Sequence, residues 1–178
     1  MARSRKKAPL TVSRPALLAG GSDDEFRGLV HDLIAYGHKL DACRDAFAAI
    51  GRISGVQYEI LMLVSRADGL SVGEVAARLH RSGAFITIEA NKLVAEGILE
   101  KASDPADGRR VLLKTTAKAL QLLDRMAPVQ RRVNDVLFES LDAKRFRELR
   151  ALAAKLVASG DRAVALTELI LRESKEAA

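Results

Sequence analysis

From residue 24 onward, apolar side chains recur at spacings of three and four. Phe26, Leu29, Val30, Leu33, Gly37, Leu40, Phe47 and Ile50 fall on one stripe. The pattern predicts a long amphipathic helix from Asp24 to about Arg52, with Asp23 or Asp24 as its cap. Gly51, Ser54 and Gly55 interrupt the stripe. A second helix, Val56 to Arg66, then turns Ile60, Leu61, Leu63 and Val64 inward. Ser71-Val72-Gly73-Glu74 reads as a capping box, in which the Ser71 hydroxyl serves the Glu74 amide and Glu74 reaches back. The helix it opens runs to about Leu79 on a stripe of Val75, Ala76 and Leu79. His80-Arg81 makes a short turn, and Ser82 caps a helix from Gly83 to Glu96 with Ile86, Ala90, Leu93 and Val94 inward. Gly97 is the expected left-handed residue that ends it.

The period then changes. Ile98 to Ser103 and Arg110 to Thr115 are short, β-compatible segments flanking Asp104-Pro105-Ala106-Asp107-Gly108-Arg109, which is rich in turn formers. A β-hairpin with a long loop follows from this. Thr116 caps another long helix, roughly Ala117 to Ser140, which Pro128 should kink or break. Leu141-Asp142 caps a last helix from Ala143, with Phe146, Leu149, Leu152, Leu156, Val157, Val164, Leu169 and Ile170 as its stripe. The order predicts a mainly α fold with a small β-wing: a winged helix-turn-helix flanked by long N- and C-terminal helices. The organisation expected is a flexible basic arm over 1–22, the winged helix over 54–116, and a helical dimerisation region over 23–53 and 117–178. The flanking stripes hold more apolar surface than so small a core can cover, which asks for a partner.

Charge modifies this picture less than its total suggests. The chain has 178 residues and a net charge of +6. Five cations, Arg3, Arg5, Lys6, Lys7 and Arg14, sit in the first 14 residues without an acid, so the rest carries only +1. Aromatics are 4% of residues, which suits helices better than a β-sandwich. Cys43 stands alone, so no internal disulfide framework exists and a reducing compartment is expected. No apolar run is long enough to span a bilayer and no signal peptide is evident, so no membrane role and a cytoplasmic location are expected.

The helix-turn-helix and hairpin together suit double-stranded DNA. The helix capped by Ser82 would enter the major groove N-terminus first, presenting Gly83, Ala84, Thr87, Ile88 and Asn91. Asn91 suits adenine, Thr87 a single hydrogen bond, and Ile88 or Ala84 a thymine methyl, so an A·T-leaning half-site is expected. Phosphate contacts are assigned to Arg78, His80, Arg81, Lys92, Arg109 and Arg110. Between Arg78 and Lys118, eight Lys and Arg face five Asp and Glu, a modest positive stripe. Arg109 is the candidate for the minor groove, with Asp107 close enough to hold its guanidinium or the turn. No catalytic residue, metal site or cofactor is expected: His31, His38 and His80 lack metal-ligand spacing, and there is neither a phosphate-binding glycine loop nor a nucleophile elbow. A winged helix used for non-specific architecture or protein docking is the rival from a different class.

The run Ser71-Val-Gly-Glu-Val-Ala-Ala-Arg-Leu-His-Arg-Ser82, with Ile86-Thr87, Lys92-Leu-Val-Ala-Glu-Gly97 and Asp104-Pro-Ala-Asp-Gly-Arg109, resembles the MarR family of bacterial regulators. Phe85 is bulkier than the small polar residue usual there, and the basic arm is not a general family feature. The resemblance implies an obligate homodimer on a pseudo-palindromic operator. It also implies repression relieved by a small effector, often an aromatic acid, here extended to an aromatic coenzyme A thioester. Tyr36, His38, Arg44 and Tyr58 are the candidate effector residues; Tyr36 and Tyr58 read more readily as core or interface aromatics with satisfied hydroxyls. Cys43 offers a redox-sensing alternative, set against a buried, inert thiol.

Overall fold

The computed structural model describes residues 8–176. The chain divides into two compact units, Met1–Gln130 and Arg131–Ala178. The first opens with a short 3₁₀ turn at Pro15–Leu17 and continues through α1 (Asp24–Gly51), α2 (Gly55–Val64), α3 (Val72–Leu79) and α4 (Gly83–Ala95). It continues with β1 (Leu99–Ser103), β2 (Val111–Thr115) and the start of α5 (Ala117–Leu137). The second holds the end of α5 and α6 (Ala143–Glu176).

One apolar core organises the first unit. Ile60, Leu61, Val64, Val75, Ile86, Leu93, Leu99, Leu113 and Met126 are at most 1% exposed and draw α2, α3, α4, the hairpin and α5 around one centre. Each fully buried aliphatic of this size contributes about 1.5–3 kcal/mol relative to exposure. The hairpin is antiparallel with Leu99 opposite Thr115 and Ser103 opposite Val111. A third, minimal strand pairs with it: Leu70 exchanges both backbone bonds with Leu113, at 3.1 and 2.8 Å. Periodicity cannot reveal a one-residue strand. Leu70 is placed there because it must bury its side chain, 4% exposed, beside Leu113, and Gly69 at φ 136° makes the turn into it.

The helix signals hold with local revisions. Arg52, at φ 56°, is the left-handed cap of α1, where glycine or asparagine is more usual. α2 begins at Gly55 behind a second capping box: Ser54 N donates to Gln57 Oε1 at 2.9 Å and Gln57 N to Ser54 Oγ at 3.2 Å. Gly97 adopts φ 68° as expected. α5 runs continuously through Pro128 to Leu137 rather than breaking there. Asp142 caps α6 by accepting from Arg145 N at 2.8 Å.

The start of the chain also differs from a bare linker. Asp23 is the N-cap residue of α1, yet its carboxylate does not cap. It accepts instead from Thr11 N and Thr11 Oγ1, both at 2.7 Å, and from Arg27 Nε at 3.0 Å, while Arg27 Nη2 donates to Pro9 O at 2.6 Å. These bonds fasten residues 9–11 to the first turns of α1. The Arg27 and Thr11 donors hold the Asp23 carboxyl far below the usual carboxylate range. Arg3, Arg5, Lys6 and Lys7 lie outside the described residues.

Candidate nucleic-acid interface

α3 and α4 form the helix-turn-helix. Ser71 Oγ accepts from Glu74 N at 3.3 Å, and Glu74 Oε2 accepts from Ser71 N at 2.8 Å, the reciprocal box the sequence predicts. His80 closes α3 in a left-handed conformation, φ 50°. Arg81 N reaches back to Ala76 O at 3.0 Å. Ser82 Oγ then accepts from Phe85 N at 3.3 Å and starts α4.

At 3.6 residues per turn, α4 has two faces. Ile86, Ala90 and Leu93 are buried in the core, whereas Gly83, Ala84, Thr87, Ile88 and Asn91 are all exposed. Residues predicted for one surface thus share one surface. Two carry details that sequence could not supply. Thr87 Oγ1 donates to Gly83 O at 2.8 Å, which leaves its hydroxyl an acceptor; the base groups it can meet are amino donors, such as the N6 of adenine. Lys92 Nζ sits 2.6 Å from Glu89 Oε1.

The wing is held at several points. Asp104 N donates to Arg110 O at 2.9 Å and Arg110 N to Asp107 O at 2.8 Å. Asp104 Oδ1 accepts from Ala106 N at 2.9 Å, and Asp107 Oδ1 from Arg109 N at 3.1 Å. Asp107 therefore holds the turn, the second of the two roles open to it, and does not pair with the Arg109 guanidinium.

The two wing arginines divide the labour. Arg110 reaches Glu74 Oε2 at 3.2 Å and Asp104 Oδ2 at 3.5 Å, tying the loop to the N-terminal turn of α3. The Ser71 hydroxyl and amide chiefly, with Arg110 and Arg78 adding, hold the Glu74 carboxyl below its ordinary range. Arg109 is exposed and makes no ion pair among the described residues. Arg110, assigned to phosphate from sequence, is also the clasp of the wing, whereas Arg109 makes no such pair among the described residues. Arg78, His80 and Arg81 are exposed beside the start of α4.

The four effector candidates are not presented as one anion-binding set. Arg44 is surrounded by carboxylates: Asp41 at 2.9 Å, Asp45 at 3.1 Å and Glu59 at 3.6 Å. Burial opposes its charge, but these acids outweigh burial and raise its pKa above the ordinary value. Tyr58 Oη accepts from Gln130 Nε2 at 2.8 Å, and its ring lies 6.0 Å from that of Phe47. Burial raises its pKa. Tyr36 is half-buried and likewise raised, by burial first and then by Cys43. His38 is exposed, and Cys43 is half-buried. Among the described residues no cluster of His, Cys, Asp and Glu could hold a metal, and no single helix is long and apolar enough to cross a membrane.

Residues 53–110 match the model of the MarR family. Over these residues the winged helix of this chain is similar to that of the MarR family. The HTH-type transcriptional regulator TtmR of Methylorubrum extorquens (strain PA1) is 30% identical over 89 residues, 50% of this chain. The match spans about half the length of that relative, 46%. Among solved structures, a MarR/EmrR family regulator from Acinetobacter sp. ADP1 is similar with a TM-score of 0.65 at 19% identity, covering 76% of this chain and 96% of that one. BldR from Sulfolobus solfataricus gives 0.63 at 21%, with 76% and 96% covered. A variant of MarR from E. coli complexed with operator DNA gives 0.61 at 21%, with 75% and 96% covered. At these identities the structures show the fold: a MarR-type winged helix with flanking helices. The family model stops at residue 110, the Arg that clasps the MarR-type wing here.

The residue that sequence reading missed is Glu89. It lies among the inward positions of α4 and is 8% exposed, with Gln57 Nε2 donating to its Oε2 at 3.0 Å. An acid on the buried side of an otherwise apolar stripe was the available signal.

Proposed function

We propose that this chain is a DNA-binding transcriptional regulator that acts as a homodimer on a pseudo-palindromic operator. One observation carries the reading. The exposed face of α4, led by Asn91, Thr87 and Ile88, stands with its capped N-terminus free, beside a wing whose loop is locked through Arg110 while Arg109 projects. Ser82, Gly83 and Ala84 let the backbone approach the groove; Arg81 and Arg109 grip phosphate and minor groove. The E. coli MarR variant of the same fold was solved with operator DNA, which supports DNA as the partner.

The dimer reading rests on uncovered apolar surface. Leu29, Val30, Leu33 and Ile34 on α1 are 38–56% exposed, and α6 buries none of its residues. Water-facing stripes of this size ask for a partner, and a second copy supplies two recognition helices related by a two-fold axis. A regulator of this kind is a repressor released by a small aromatic acid or its coenzyme A thioester in our reading. Arg44 would have to exchange a carboxylate for the effector's anion, because three already surround it.

Competition on a labelled duplex tests the proposal. Selected palindromic DNA should displace the protein from the label far better than random duplex. Equal displacement would leave the non-specific, architectural reading standing instead. A thermal-shift panel of salicylate, benzoate and benzoyl-coenzyme A tests the effector; no shift and no release of DNA would remove that part.

A further inference from the structure

We infer that Glu89 is a positioning residue that cancels the charge of Lys92, so that the recognition helix meets DNA without a cation of its own. The inference rests on the DNA-binding reading above.

A carboxylate 8% exposed is costly unless it is bonded on both oxygens. Glu89 is. Its Oε2 accepts from Gln57 Nε2 at 3.0 Å, and its Oε1 from Lys92 Nζ at 2.6 Å. The Gln57 amide cannot turn over, because its own oxygen already accepts from Ser54 N at 2.9 Å. The capping box of α2 thus fixes an N–H donor toward α4, and only an acceptor at position 89 satisfies it. With Oε2 fixed, Oε1 is directed at the edge of the exposed face, where Lys92 stands one residue beyond Asn91 and four beyond Ile88.

Lys92 is the only Lys or Arg between Gly83 and Ala95. Its pairing with Glu89 leaves α4 neutral, and the outward residues Ala84, Thr87, Ile88 and Asn91 read bases with little sequence-independent attraction competing. Lys92, assigned to phosphate from sequence, is thereby withdrawn, and phosphate grip falls to Arg78, His80, Arg81 and the wing. The Gln57–Glu89 bond ties α4 to the first turn of α2, so the residue that silences the charge also sets the helix in place.

The test uses full-length protein and a random duplex of about 30 base pairs, with affinity measured against salt concentration. Lys92→Ala, a change at an exposed position, should leave the salt slope unchanged. Glu89→Gln keeps an acceptor for Gln57 and frees Lys92. Its slope should steepen by about 0.9 per protomer, an extra loss of about 12-fold for a dimer between 50 and 200 mM salt. The double variant should return to the wild-type slope. A DNA-free arm measures acylation of Lys92 by an N-hydroxysuccinimide ester, read by mass spectrometry; Glu89→Gln should accelerate it. A Lys92→Ala slope shallower by about 0.9 per protomer would overturn the inference, since Lys92 would then already be on phosphate. So would a folded Glu89→Gln protein with unchanged slope and acylation. If Glu89→Gln does not fold, Lys92→Ala still decides. Failure of the wild type to bind any duplex would strike the DNA-binding reading, while acylation decides the Glu89–Lys92 pair by itself.

Discussion

Ile86 and Ile88 are two residues apart on α4 and should separate stability from recognition. Ile86 is 0% exposed in the core, and Ile88 is 56% exposed on the outward face. Truncating Ile86 to Ala removes three carbons, about 2.4 kcal/mol of transfer free energy at about 0.8 per carbon. The cavity left in the core that Ile86 shares with α3 and the hairpin adds to this, for a total of about 3–4 kcal/mol. Such a loss lowers the thermal midpoint by about 6–16 °C for a chain of this size. The same truncation at Ile88 removes carbons that water already reaches. Its stability change should stay within about 0.5 kcal/mol, and the better helix propensity of Ala favours the variant slightly. Chemical unfolding in urea at fixed protein concentration, with anisotropy on a selected duplex, measures both quantities. Ile86→Ala should unfold early, and Ile88→Ala should fold normally yet discriminate poorly against sites lacking the thymine methyl. An Ile88→Ala protein with unchanged discrimination would refute the assignment of this face. An Ile86→Ala protein as stable as wild type would refute the packing of α4.

Arg109→Ala should keep the wild-type thermal midpoint and weaken DNA binding, with the salt slope shallower by about 0.9 per protomer. Arg110→Ala should instead lower the midpoint and open the 104–110 loop to protease; equal behaviour of the two variants would contradict the division of labour in the wing. Asp23→Asn should destabilise at neutral pH, because the folded carboxyl titrates far lower than a free one. That stabilisation is present above the unfolded value near 3.9 and is lost as pH falls toward the folded value, so the gap between the two thermal midpoints should narrow below about pH 3.9. A gap constant down to pH 2.5 would contradict it. Sedimentation should show a dimer, and Leu33→Glu on the exposed stripe of α1 should shift it toward monomer; an unchanged dimer would place the interface elsewhere.

Much of the scaffold was legible because its signals are local. Ser71 with Glu74, Ser82 before an apolar run, Gly97 after it and Thr116 before the next helix each act within one helical turn. The backbone makes the same bonds the spacing implies. What escaped was long-range. Leu70 pairs with Leu113 across 43 positions, and nothing near Leu70 announces a strand. Arg110 meets Glu74 across 36 positions, so sequence could not tell which of two adjacent arginines the fold would commit. Gln57 and Glu89, 32 apart, are each unremarkable alone. Pro128 offered two outcomes, a kink or a break, and the break does not occur: α5 continues through it with Met126 buried in the core. The outward face of α4 was readable because burial on one side dictates exposure on the other. The partners of its charged neighbours were not.

The central claim is that the α4 face and the wing read sequence as a symmetric pair. Selection of bound sites from a randomised duplex library by the purified full-length protein tests it most directly. The expected result is enrichment of a pseudo-palindrome with A·T-leaning half-sites about one helical turn apart, roughly 10–10.5 base pairs centre to centre. Retention of DNA without enrichment of any sequence, or enrichment of a motif lacking two-fold symmetry, would contradict it.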